Sequence, residues 1–294
     1  MRITAHHLLE RSAGHIGAAQ TDIAKLSDQV SSGLAVRRAS DDPVAWIQAR
    51  REQVRAAVSH GRGDAIGLGN DQLAETERAL GTIGGVLSEA RQLAVQAANA
   101  NYVADDRAKL QLQVAGLFSV ALASANSRNS AGEYVLAGGQ GLVAPFDAAG
   151  AFVGDATRRQ LEAGEGASAA ATLSGSALTA AVAGGIDVLP ALGRLAAALG
   201  ANNLAGIQTA IDELDQAHEQ VSQARGEVGS MMAVFQDADA FRVELENTLA
   251  GRIAALTEVD IIDAATDLAQ RTQALEASQT VNGRLASLLS PAGR

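Results

Sequence analysis

The chain has 294 residues with a formal net charge of −10 and a pI near 5.0, which argues against binding that rests on neutralising nucleic-acid phosphates. It contains no cysteine, so disulfides and thiol chemistry are excluded. Hydrophobic residues make up 47% but aromatics only 3%, a balance that suits close-packed helices better than a thick globular core.

At the N-terminus, MRITAHHLLERSAGHIG has no continuous apolar stretch because Glu10 and Arg11 interrupt it, so no cleaved secretory signal is expected. Leu9, Ser12, Ile16, Ala19, Ile23, Leu26 and Val30 step by three and four, the seam of a helix that packs on a partner helix. The stretch that follows, LSDQVSSGLAVRRASDDPVAW, reads as a stop, a linker and a start. Gly33 stands where a helix C-cap belongs. Asp42 before Pro43 reads as an N-cap followed by proline at the first helical position, with Asp41 adding negative charge at the helix N-terminus. A catalytic or metal role for Asp41 and Asp42 would need partners that the local sequence does not supply. RRAS, Arg37 to Ser40, also fits a basophilic kinase target, a four-residue match that arises often by chance.

A second seam runs through Ile66, Gly69, Leu73, Thr76, Leu80, Ile83, Leu87, Ala90, Ala94 and Ala97, and a shorter one through Leu110, Val114, Leu117 and Ala121. From Tyr134 to Gly185 the texture changes to Gly, Pro and Asp around short apolar runs such as Ala151 to Val153 and Thr157 to Leu161, which predicts a small β-rich insertion. Within it Gly166 to Ile186 is free of charge over about a membrane span, yet it holds few large aliphatics, so membrane insertion is not expected. Gly164, Gly166 and Ala169 fit a Gly-x-Gly-x-x-Ala spacing without the βαβ unit that a dinucleotide site needs.

The longest seam is Leu204, Ile207, Ile211, Leu214, His218, Val221, Arg225, Val228, Met232 and Phe235. His218 and Arg225 at seam positions read as polar residues at a helix edge or as register markers. A last apolar pattern passes through Ile261, Ala265, Leu268, Leu275, Val281, Leu285 and Leu288. The predicted fold is mainly α: an elongated antiparallel helical bundle or coiled coil built from both chain ends, with a small β-rich insertion in the middle. The five histidines show no metal-binding pair at helix spacing, and no nucleophile elbow or phosphate loop appears. No enzyme, cofactor or metal is expected. A soluble coiled-coil adaptor or signalling module would share the heptads but has no reason to carry the insertion.

LSDQVSSGLAVRRASDDP resembles the N-terminal signature of the bacterial flagellin family, in which a helix ends in a Ser-Ser-Gly turn and a new one opens at an Asp-Asp pair. Asp105 to Gly139 is similar to that family's second helix and glycine turn, and TEVDIIDAATDLAQRTQALEASQTVNGRLASLL to its C-terminal helix. Within the family, GEYVLAGGQGLVAPF resembles the hook–filament junction branch, with Leu136 where Phe is expected. A short flagellin that forms the filament itself is the alternative.

The resemblance implies a structural subunit of the extracellular flagellum, exported without a cleaved signal peptide. Its partners would be copies of itself in a helical ring or tube, a neighbouring hook-associated protein, flagellin and an export chaperone. Residues 1–32 and 259–294 would form a terminal coiled-coil, inner-tube domain and 33–42 the joint. Residues 43–133 and 187–258 would form a helical bundle domain, and 134–186 a β-rich outer domain. The candidate assembly residues are Ile16, Ile23, Leu26, Val30, Leu268, Leu275, Leu285 and Leu288. Gly33, Asp41, Asp42 and Pro43 are the candidate joint and cap residues.

Overall fold

The computed structural model describes residues 2–289. In chain order it has α1 (Arg2–Ser32), α2 (Pro43–Ala97), α3 (Ala104–Ala125), β1 (Gln160–Gly164), β2 (Ala167–Ala170), a 3-10 turn (Gly175–Leu178), α4 (Val188–Gly200), α5 (Leu204–Thr257) and α6 (Ile261–Leu289). The chain divides into two compact units, residues 59–244 and residues 1–58 with 245–294. The fold is mainly α with one small antiparallel sheet.

In the unit of residues 59–244, all ten seam positions predicted from Ile66 to Ala97 are buried. They face α5 in antiparallel order, because Gly69 lies under the Phe235 ring, Gly84 beside Val221, and Arg91 pairs with Asp215. A Cβ on Gly69 would come within 2.8 Å of that ring. Glycine therefore makes room for the fully buried Phe235 here.

The α5 seam departs from the predicted register. Ile207, Leu214, Val221, Val228 and Phe235 are buried as expected, but the positions between them are filled by Ala210, Ala217, Ala224 and Met231. Ile211 and Met232 are half-buried, while Leu204, His218 and Arg225 are exposed. Arg225 pairs with Glu77 of α2 at 2.6 Å. The alanines let the two backbones approach and move the seam by one residue, which leaves the polar positions at the edge.

α3 packs on α4 through Leu110, Val114 and Ala121 on one side and Leu192, Leu195 and Leu199 on the other. Buried Arg107 ties the turns at this end. It donates to the Ala97 carbonyl (2.9 Å), the Asn99 carbonyl (3.2 Å) and Asn202 Oδ1 (2.6 Å). A planar fork with several fixed donors suits three acceptors at once.

The insertion is mostly turns. β1 and β2 form a two-stranded hairpin closed at Glu165 and Gly166, which accounts for the glycine spacing that imitated a dinucleotide motif. The Ala151–Val153 run makes only an isolated bridge from Phe152 to Phe146, whose rings meet at 5.5 Å. Gly166 to Ile186 forms β2 and the 3-10 turn rather than a continuous helix. Among described helices α3 is long and apolar enough to cross a membrane by length and composition alone. Its first turn nevertheless carries Asp105 and Asp106.

Candidate assembly site: the terminal helices and the joint

The unit of residues 1–58 and 245–294 is built differently. α1 and α6 pack on each other, yet the only buried hydrophobic residues described in this unit are Ala49, Leu249 and Ala264. Ile16, Ile23, Leu26 and Val30 on α1 and Leu268 and Leu275 on α6 are half-buried. Leu285 and Leu288 lie on α6, but their side chains fall outside the described residues.

Between α1 and α6 runs a groove of about 650 Å³ lined by Ile16, Ala19, Leu275 and Val281 among others. Arg271 bridges the helices at its rim, 3.0 Å from Asp22 on α1 and 3.0 Å from Asp267 on its own helix. Asn282, also in the groove, has a buried Oδ1 with no hydrogen-bond partner.

The joint is a clip rather than a loose linker. α1 ends at Ser32, and Gly33 takes φ +70°, with its N–H donating to the Gln29 carbonyl at 2.8 Å. That left-handed turn favours glycine. The following residues pair with the end of α5. Ala35 and Val36 N–H both donate to the Thr257 carbonyl (2.8 and 3.2 Å), and Val259 N–H donates to the Gly33 carbonyl (3.0 Å). The two connectors of this unit, 33–42 and 258–260, are thus tied together.

Asp42 Oδ1 accepts the Val44 and Ala45 N–H groups, both at 2.9 Å, and caps α2, whose first residue is Pro43. Asp41 turns the other way. Its Oδ2 accepts the Arg37 and Arg38 N–H groups, both at 3.0 Å, and folds the linker on itself. Those amides hold the Asp41 carboxyl below the ordinary carboxylate range. Asp42→Ala should therefore cost about 1 kcal/mol of stability in denaturant unfolding, and an unchanged midpoint and slope would remove its capping role.

Sequence reasoning missed Asp260, whose Oδ1 accepts the Ile262 (2.9 Å) and Asp263 (3.2 Å) N–H groups and caps α6 in the manner of Asp42. An aspartate directly before Ile261 and Ile262 was the available signal. Thr257 and Val259, the partners of the joint, carry no local signal, because their role is set by a contact with residues far away in sequence.

Residues 11–141 match the family model of the bacterial flagellin N-terminal helical region. The matched region is a little under half of the chain and takes in the joint, all of α2 and α3 and the glycine turn after them. Flagellar hook-associated protein 3 of Salmonella typhimurium is 30% identical to the chain over 149 residues, covering 51% of this chain and 47% of that protein. The chain spans about half the length of the curated relatives it matches.

Among solved structures, FlgL of Bacillus cereus is similar with a TM-score of 0.60 at 20% identity, over 69% of this chain and 98% of that one. The flagellar junction protein FlgL of Legionella pneumophila gives 0.59 at 14% identity, over 72% and 100%. At such identities the likeness is one of fold.

Proposed function

We propose that this protein is a structural subunit of the bacterial flagellum, a hook-associated junction protein that connects hook to filament and seats flagellin. The observation that carries this reading is the likeness to hook-associated protein 3. The half-buried seams of α1 and α6 support it, since they leave apolar surface that neighbours in a ring or tube would cover.

Residues 1–32 and 259–294 then form the inner layer, 43–133 and 187–258 the middle bundle, and 134–186 the outward face. The eight seam residues, with Leu285 and Leu288 among them, are the assembly contacts. Gly33, Asp41, Asp42 and Pro43 set the angle between layers. The protein acts by contact and without catalysis. It leaves the cell through the flagellum's own export channel, without a cleaved signal and with a chaperone, and stays outside as part of the flagellum.

Immunogold labelling of isolated flagella with antibody against residues 134–186 tests the place. Label confined to a band where hook meets filament is expected. Label along the whole filament would replace this reading with that of a filament subunit.

A further inference from the structure

The first turns of α2 are built inside out. Ala45, Ala49, Glu52, Ala56 and Ser59 form the inward stripe and are buried or half-buried. The larger Val44, Ile47, Val54 and Val58 face solvent, at 66%, 49%, 63% and 51% exposure. With exposed Arg51 they step by three and four, the spacing of a helix seam. Arg50 and Arg55 flank the stripe, and Trp46, Ile47 and Val54 line a shallow hollow there. A hydrophobic seam turned outward and framed by arginines is shaped for an apolar helix that carries acids.

The chain itself presents such a helix. On α5, Val234, Asp237, Phe241, Glu244 and Thr248 step by three and four and are all exposed, with Phe241 at 69%. An aromatic ring this open, on a chain with five phenylalanines, is a candidate anchor. Both stripes cover about 21 Å of helix, one with a central arginine and the other with an acid on either side of Phe241.

We propose that the Val44–Val58 stripe of one copy docks on the Val234–Thr248 stripe of α5 in a second copy. Phe241 enters the hollow beside Ile47, and Asp237 and Glu244 meet Arg51 and its flanking arginines. The contact uses different surfaces on the two copies, so each copy keeps one stripe open for the next and the contact can propagate. Pairing two α2 stripes with each other would instead set arginine against arginine. The inference rests on the reading above only in its premise that copies of the chain meet.

Because the chain has no cysteine, full-length Gln48→Cys and Ala240→Cys chains, altered at exposed positions beside the two stripes, can be mixed at high concentration and mildly oxidised. A disulfide-linked heterodimer joining peptides that contain positions 48 and 240 is expected, in large excess over either homodimer. Adding Arg51→Glu to the first chain should lower the yield about tenfold, and adding Glu244→Arg to the second should restore it. Homodimers in equal or greater yield, no heterodimer, or a yield indifferent to both charge changes would each overturn the proposal. These readouts use purified protein, so they stand or fall separately from the junction role. A strain that keeps its filaments without the gene defeats that role and leaves the cross-link result untouched.

Discussion

Leu275→Asp is expected to abolish incorporation of the protein into flagella while moving its melting temperature by no more than about 3 °C. The asymmetry follows from where the cores lie. Leu275 is half-buried beside a groove, in a unit with only three buried hydrophobic residues described. A carboxylate there keeps contact with water in the single chain and disturbs little of the fold. Once a neighbouring helix closes the groove, the same carboxylate is buried without a partner, which costs several kcal/mol. Complementation of a deletion strain, with flagella counted by electron microscopy and unfolding of the purified variant followed by circular dichroism, reads both halves. Normal incorporation would show that the α1–α6 seam is not an assembly surface, and a collapse in melting temperature would show that it is core.

The contrast between the two units also explains what the sequence could disclose. The seam from Ile66 to Ala97 was legible at every position because large aliphatics recur on one face from Ile66 to Leu87 and alanines continue it to Ala97, and α5 meets it at Gly69, Gly84 and Arg91. In α5 the aliphatic positions were legible and the register between them was not. Alanine is compatible with seam and surface alike, so Ala210, Ala217 and Ala224 give no periodic signal against Ile211, His218 and Arg225. Only the close approach of α2 decides between them.

At the joint, Gly33, Asp42 and Pro43 act through neighbours a few residues away, and local chemistry exposes them. Asp41 was legible as an acid near a helix start, but not as the closure of the linker, since that depends on how residues 37–41 fold. The outward stripe on α2 runs against the usual rule. Periodicity finds two faces there, and hydrophobic size favours the wrong one as the interior, because the inner stripe is mostly alanine. Departures of this kind are expected where a surface is kept for another chain rather than for its own core.

The junction role predicts an effect larger than that of any single substitution. A hook end without its adaptor offers flagellin no matching lattice, so subunits that are still made and exported have nowhere to add. The direct measurement is electron microscopy of flagella from a strain deleted for this gene, with flagellin assayed in the medium. Hooks without filaments, together with flagellin monomers released outside, are the expected result. Hooks that still carry filaments, even filaments altered in length or shape, would contradict the junction role and leave the chain as one filament subunit among others.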